Sequence, residues 1–443
     1  MNKELLPIEE ASSTYQLAAD NCGLPKGYKQ TEVGVIPEDW ESGNLGLFWT
    51  VTDCKHITAK FVSNGYPLAS IREVQSRVVD LTNAKQTTEY YYSQLIEGGR
   101  KPIPGDLIMS RNATVGEIAQ VVESHPPFSM GQDVCLLRKK RESHSSSYLQ
   151  SVFKSPIITD QLMNLMVGST FKRVNIEQIR NFKVPMPGSI EQRAIAVVLS
   201  DVDALLAKLD QLITKKRDLK QAAMQQLLTG QIRLPGFSEV WKIKCLGDVG
   251  NCLRGVTYRG DSDLSQYDTP HTKRLLRSNN VQNASVVTLD IQFVNDARVS
   301  ENQLLRNEDI LICMANGSKA LVGKSGFFQV NDGYEYTFGA FMGCFRSNSI
   351  ESNSTFIFYL FQTGGYRNYI NNLLAGSSIN NLSPSSIESL KFPIPQLLEQ
   401  TAIASILSDM DTEITALETR QDKTRDLKQG MMQELLTGRI RLI

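Results

Sequence analysis

The chain has 443 residues, of which 41% are hydrophobic, and its 47 Lys and Arg equal its 47 Asp and Glu. That length supports two to four domains, and zero net charge excludes a whole-chain field that draws in nucleic acid or an anionic membrane, so any such binding must come from local patches. Seven scattered cysteines without a CxxC pair and four dispersed histidines exclude zinc-ligand spacing and point to a reduced, cytoplasmic setting.

Residues 1–30 form an N-terminal segment that lacks the basic and apolar regions of a signal peptide; it is expected to pack against the C-terminal helix. Residues 31–187 read as an α+β domain, with short β-type runs (GEIAQVV, DVCLLR) ahead of a helical stretch, SYLQSVFKSPIITDQLMNLM. Its landmarks are Trp40 before Leu45-Gly46, a GDLI turn into a strand at Gly105 to Ile108, the polar loop RNATVG (Arg111 to Gly116), and Gly168-Ser169-Thr170 before Val-Pro-Met-Pro at 184–187.

A long helix is predicted over 188–234, opened by the proline edge, capped by Ser189 with Gln192 and closed at Thr229-Gly230. Ile195, Val198, Val202, Leu205, Leu209, Leu212, Leu219 and Ala223 fall at steps of three and four, a coiled-coil-like seam broken only at Lys216. The most apolar stretch, 194–207, carries Asp201 and Asp203 and is too short to span a bilayer, so no membrane role is expected.

Residues 235–395 repeat the first plan: Trp241 before Leu246-Gly247, an EDIL turn at Glu308 to Leu311, a polar loop closing at Gly323, and Gly376-Ser377-Ser378 before Phe-Pro-Ile-Pro at 392–395. The loop GSKALVGKS resembles a phosphate loop, but it has five residues between its glycines where Walker A has four. FFQV after Ser325 reads as a strand, which argues against ATP binding. Residues 396–443 then repeat the long helix. Glu191 to Leu234 and Glu399 to Leu442 match at 25 of 44 positions without a gap. In the second copy Ile403, Ile406, Met410, Leu417, Leu427 and Met431 keep the register, with Glu413, Arg420 and Thr424 interrupting it. The fold expected is α+β, two globular domains joined by two long helices in an antiparallel coiled coil, with a pseudo-twofold internal repeat.

At GVIPEDWE, GDLIMSR with its Val-Gly closure, the Gly-Ser loop followed by PMP and EQRAIA, and the paired DLKQ-x-x-MQ-x-LLTG-x-IRL endings, the chain resembles the specificity subunit of type I restriction-modification systems, over residues 30 to 443. The resemblance implies a non-catalytic subunit whose two target-recognition domains each read one half of a bipartite site in double-stranded DNA. The helices would set the spacer between the halves and dock two methyltransferase subunits, joined in a full system by restriction/translocase subunits. No cofactor or metal is expected on this chain; S-adenosylmethionine would belong to the methyltransferase. A self-sufficient DNA methyltransferase would need an Asn/Asp-Pro-Pro-aromatic tetrapeptide and a Gly-rich cofactor turn, and the sequence has neither. A protein-only coiled-coil scaffold would leave the two domains unexplained.

Candidate DNA contacts follow from residue chemistry, since Arg pairs with guanine and Asn with adenine in the major groove. Arg111, Asn112 and Thr114 stand in the first polar loop, and Asn316, Ser318 and Lys319 in the second. The Gly-Ser loops supply Ser169, Thr170, Lys172 and Arg173, and Ser377, Ser378 and Asn380. Arg72, with Arg274, Arg277 and Asn279, is assigned to matching strands. The shared helix face Lys215, Arg217, Asp218, Lys220 and Lys423, Arg425, Asp426, Lys428 is the candidate methyltransferase contact, against an alternative of salt bridges between the helices.

Overall fold

A computed structural model describes residues 24–166, 173–375 and 380–442. The chain divides into two units, one comprising Met1–Lys208 with Arg420–Ile443, the other Leu209–Thr419.

In the first unit, an antiparallel sheet runs in the order β1 (Trp49–Asp53), β4 (Val134–Lys139), β2 (Leu107–Ser110), β3 (Ile118–Gln120). Leu107–Ser110 and the first four residues of Val134–Lys139 are buried, mainly apolar runs because helices cover one face and a second small sheet adjoins the other, whereas the edge strand Trp49–Asp53 alternates. The covering helices are α1 (Ser146–Phe153) and α2 (Pro156–Met166). The edge Lys183–Met186 pairs with Glu41–Asn44, in a two-stranded sheet where proline costs no central ladder bond.

From this edge springs α3 (Ser189–Leu227). The predicted capping box is not made. Ser189 already lies in the helix, and Gln192 instead donates to Pro187 O at 2.8 Å and accepts from Ser145 N at 2.8 Å, tying the helix start to α1.

The second unit repeats the strand order: β5 (Gly250–Arg254), β8 (Met342–Ser347), β6 (Ile310–Cys313), β7 (Ser325–Phe327), extended by Ser285–Val286 and Val281–Gln282. Helices α4 (Ser354–Leu360) and α5 (Gly364–Ala375) cover it. The loop runs into the strand Ser325–Phe327 and not into a helix, although of FFQV only Phe327 lies in that strand and Phe328–Val330 follow it as irregular chain. The Lys391–Ile394 edge pairs with Lys242–Cys245 and leads into α6 (Leu397–Leu435). Gln400 repeats the role of Gln192, donating to Pro395 O and accepting from Asn353 N.

Each core combines its sheet and helices with the start of one long helix and the end of the other. Ile195, Ala196 and Leu199 join Met432, Leu435 and Leu436 in the first unit; Leu227 and Leu228 join Ile403, Ala404 and Leu407 in the second.

The inward stripe of each long helix differs from the predicted seam at every other position. Along α3 the less exposed residues are Ile195, Leu199, Val202, Leu206, Leu209, Ile213, Lys216, Lys220, Ala223 and Leu227. Along α6 they are the residues 208 positions later, from Ile403 and Leu407 to Met431 and Leu435. Leu205, Leu212, Leu219, Ile406 and Leu427, read as seam, are exposed. Apolar residues stand at adjacent positions such as 198 and 199, or 205 and 206, so the three-step and four-step readings fit equally; packing against the units selects the four-step one.

Within each unit the helices run antiparallel. In the second, Lys216 pairs with Glu413 at 2.7 Å, Lys220 with Asp411 at 2.5 Å and Arg217 with Glu418 at 2.6 Å. In the first, Lys428 pairs with Asp203 at 2.6 Å, the same two repeat positions as Lys220 and Asp411.

Candidate nucleic-acid interface

Two tryptophans read from the sequence as landmarks fix the long helices to their units. Trp40 Nε1 donates to Glu191 Oε2 at 2.9 Å and Trp241 Nε1 to Glu399 Oε2 at 3.0 Å. Arg441 closes on Glu191, and Arg233 on Glu399. The sequence reading marked the tryptophans but not their acid partners. The signal was present: Glu-Gln opens both copies of the repeat and Ile-Arg-Leu closes both.

A second conserved pattern between halves is Asp106 with Arg138 and Asp309 with Arg346. In each pair Nε bonds one carboxylate oxygen at 2.9 Å and Nη2 the other at 2.6 Å. These pairs fix the Gly-Asp-Leu-Ile and Glu-Asp-Ile-Leu turns, so the polar loops that follow leave a rigid sheet.

In the first unit, Arg111 is buried rather than displayed, 3% exposed, with Nη2 2.5 Å from Asp53 Oδ1. Its Nε and Nη2 and Asp53 Oδ1 have no hydrogen-bond partner among the described residues, so the contact is a charge pair outside hydrogen-bond alignment. Asp53, Cys54 and His56 bring ligand atoms within 4.8 Å of one another, but the Arg111 charge beside Asp53 opposes a cation there. Burial, together with the nearby Asp53, pushes the Cys54 thiol up.

The surface beside Arg111 is carried by its neighbours. Asn112 forms an isolated bridge with Arg173, whose Nη2 lies 3.8 Å from Asp133 Oδ1. Thr114 is exposed and accepts from Gln75 Nε2 at 2.9 Å. Arg72 is exposed too, but stands in a 3₁₀ turn, Ile71–Val74, and not on a strand. The buried Glu73 carboxylate caps this turn through Ser70 N, and a Ser-Ile-Arg-Glu sequence offers that local cap in preference to a ladder. Ser169, Thr170 and Lys172 lie outside the described residues.

In the second unit the structure brings Arg277, Asn279, Asn316 and Asn380 around one open cleft of about 1180 Å³, with Tyr258, Asn381 and Phe341. Arg277 and Asn279 also belong to a 3₁₀ turn and its cap, not a strand, and both donate to Asp290 Oδ2, at 3.1 and 2.9 Å. Asn316 Oδ1 accepts from Ser318 N, and Asn380 Nδ2 donates to Gly317 O. Ser318 and Lys319 are exposed, the latter donating to Leu374 O. Arg274 is on a strand but not on this cleft: Asp268, Asp332 and Tyr336 bind its guanidinium, which stacks over Tyr334. Its guanidinium is thus held by two loop carboxylates and the Tyr336 hydroxyl. Ser377 and Ser378 lie outside the described residues.

Phe341, Asn381 and Asp133 were missed by the sequence reading. Phe341 is 72% exposed, yet its backbone is pinned, since its carbonyl accepts from Met314 N at 2.9 Å and Ala315 N at 3.1 Å. Asp133 occupies the same framework position in the first unit, accepting from Arg111 N at 2.8 Å. Asn381 bridges Ala315 as Arg173 bridges Asn112. Aligning the two halves on Gly131 and Gly339 would have exposed this substitution of Asp by Phe.

On the long helices, Arg217, Lys220 and Lys428 are engaged in the ion pairs above, Lys220 also lying over the Tyr359 ring. Arg425 pairs locally with Asp422, whereas Lys215, Asp218, Lys423 and Asp426 are exposed. Among the described residues, no helix is long and apolar enough to cross a membrane.

The sequence profile of the type I restriction modification DNA specificity domain matches residues 37–216 and again 238–424. The chain belongs to this family. Over 202 residues it is 34% identical to the type I restriction enzyme EcoKI specificity subunit of Escherichia coli (strain K12), a match spanning 46% of this chain and only 43% of that protein. It is 25% identical over 440 residues to the putative type I restriction enzyme MjaX specificity subunit of Methanocaldococcus jannaschii, covering 94% of this chain and 97% of that one.

Two solved structures share the fold. The type I restriction-modification system S subunit from M. genitalium superposes with a TM-score of 0.56 at 14% identity, covering 94% of this chain and 98% of that one. A chain from a study of complex assembly and conformational transition in the type I system gives 0.56 at 16% identity, over 91% and 99%.

Proposed function

We propose that this chain is the non-catalytic DNA specificity subunit of a type I restriction-modification complex. Each recognition domain, 31–187 and 235–395, reads one half of a bipartite site in double-stranded DNA. The helical regions 188–234 and 396–443 form an antiparallel coiled coil that sets the unread spacer and docks two methyltransferase subunits. The two halves of the chain are copies of one plan, a pseudo-twofold internal repeat. The observation that carries this reading is the pairing of one sheet framework, present in both units, with different exposed polar groups at its loops. A shared frame fixes register on the duplex, and different side chains specify different bases.

The 39-residue helices extend roughly 58 Å at about 1.5 Å per residue, more than the roughly 34–36 Å of one DNA turn. The exposed Lys215, Asp218, Lys423 and Asp426 supply the docking face. Their neighbours Arg217, Lys220, Arg425 and Lys428 support it from intramolecular pairs.

The test replaces residues 31–187 with the corresponding segment of another family member, in complex with the methyltransferase partner, and maps adenine methylation. One half-site should change and the other persist. A change in both halves, or in neither, overturns the reading.

A further inference from the structure

Two framework positions differ between the units in a way that matches base-pair chemistry. In the first unit they hold Asp133 and Arg173, with the carboxylate and guanidinium 3.8 Å apart. In the second they hold Phe341 and Asn381. The equivalence rests on backbone hydrogen bonds. Arg111 N donates to Asp133 O, and Met314 N to Phe341 O; Val174 N then donates to Arg111 O, and Leu382 N to Met314 O. The isolated bridges Asn112 with Arg173 and Ala315 with Asn381 complete the match.

In the major groove a G·C pair shows guanine O6 and N7 beside the cytosine N4 amino group. An A·T pair shows adenine N6 and N7 beside the thymine 5-methyl. An Arg and an Asp suit the first pair: the guanidinium donates twice to guanine and the carboxylate accepts from cytosine. An Asn and a Phe suit the second, the amide bridging adenine and the ring covering the methyl. Each two-residue set is complementary to one base pair and mismatched to the other.

The local structure leaves both sets available. Asn381 is exposed and its side chain has no hydrogen-bond partner among the described residues, while the nearby Arg277 and Asn279 are held by Asp290. Phe341 projects an aromatic ring into the polar cleft from a backbone fixed by two hydrogen bonds. A rigid, solvent-exposed aromatic offers apolar contact area at little ordering cost to a partner. Arg173 is about half exposed.

Building on the function proposed above, we infer that Asp133 with Arg173 reads a G·C pair in one half-site, and Phe341 with Asn381 reads an A·T pair in the other. The two positions form a specificity switch within a common frame.

The experiment uses the full chain with its methyltransferase partner and a duplex carrying the bipartite sequence mapped by adenine methylation. Replacing thymines one at a time by deoxyuridine in the half-site of the second unit removes single methyl groups. At one position the wild-type complex should bind about fourfold more weakly, the scale of one lost apolar methyl contact. The Phe341→Ala complex should bind the thymine and deoxyuridine duplexes equally at that position. The double variant Phe341→Asp, Asn381→Arg should shift one position of that half-site from A·T to G·C, leaving the other half-site unchanged.

Equal binding of all deoxyuridine duplexes by the wild type, or a double variant that still prefers A·T throughout, overturns the assignment. Loss of all methylation by the double variant is resolved by the deoxyuridine comparison, which needs only the wild type and Phe341→Ala. A wild-type complex that methylates no bipartite site sinks the proposed function itself, a result distinct from either outcome here.

Discussion

Arg441 holds Glu191 by two hydrogen bonds, Nε to Oε1 at 2.7 Å and Nη2 to Oε2 at 2.9 Å, across 250 residues of sequence. Glu191 is 2% exposed, and Trp40 Nε1 donates to the same carboxylate. The Glu191 and Asp39 carboxylates hold the Arg441 guanidinium further above its already high range, and Arg441 in turn keeps Asp39 below the usual carboxylate range. Removing the guanidinium strands a buried carboxylate, at a cost on the order of 3–5 kcal/mol. Arg441→Ala should therefore lower the urea midpoint sharply, and Glu191→Gln in the same chain should recover part of the loss. A midpoint unchanged by Arg441→Ala would show the pair to be energetically idle.

Gly438 and Gly230 sit at equivalent helix ends with φ of +69° and +70°, so a side chain costs each about the same backbone penalty, roughly 1–2 kcal/mol. They differ in space. A Cβ on Gly438 would meet Pro37 at 2.5 Å, whereas one on Gly230 would meet Trp241 at 3.4 Å. Gly438→Ala should thus destabilise by more than Gly230→Ala in thermal unfolding; equal losses would show that Pro37 yields without strain.

His144 stacks on Trp49 at 5.2 Å, and its Nδ1 lies 3.1 Å from Phe48 O. Burial lowers its pKa below the ordinary 6.5. The unfolded chain therefore binds the proton more readily, so this contribution to stability is intact above pH 6.5 and falls as the pH drops below it. The melting temperature should decline from pH 7.5 to pH 5.5, less so in His144→Gln. Equal slopes in the two proteins would remove His144 as the source.

Lys216 and Glu413, which interrupt the two apolar series, pair with each other at 2.7 Å with side chains 29% and 50% exposed. Such a solvated pair is worth little, about 0.2–1 kcal/mol. A double-mutant cycle with Lys216→Ala and Glu413→Ala should give a coupling in that range, shrinking in high salt; a coupling of several kcal/mol would mark the pair as a structural anchor.

Cys54, Cys135, Cys252, Cys313 and Cys344 are buried, and burial raises each thiol above its ordinary pKa. Cys245 is half-buried. In a Cys22→Ser background a thiol reagent should label Cys245 first and the other five only on unfolding. Rapid native labelling of any of the five would contradict their placement.

Much of the framework was legible because it is written twice. The proline edges, the helix-closing glycines, the tryptophans and the strand runs recur in order, and repetition separates signal from coincidence. The seam was misread at alternate positions because Val198 and Leu199, or Leu205 and Leu206, serve a three-step or a four-step spacing alike. The polar loop suggests a displayed Arg111; only the fold reveals that Asp53 draws it inward. Phe341 escaped notice because an aromatic in an apolar run, TFGAFMGCF, reads as core. No periodicity distinguishes the one ring that faces out.

The first unit is assembled from two stretches separated by the whole second unit, since Arg420–Ile443 belongs with Met1–Lys208. During synthesis, residues 24–208 leave the ribosome well before the segment that carries Met432, Leu435, Leu436 and Arg441. Until then Glu191 lacks its guanidinium partner and the first core lacks part of its packing. The unit made first is therefore finished last, and the second, Leu209–Thr419, is contiguous and can close on its own. Once residues up to 419 have cleared the ribosome the second unit has its whole chain, while the first still lacks Arg420–Ile443, which makes the following interval a window for chaperone capture or proteolysis.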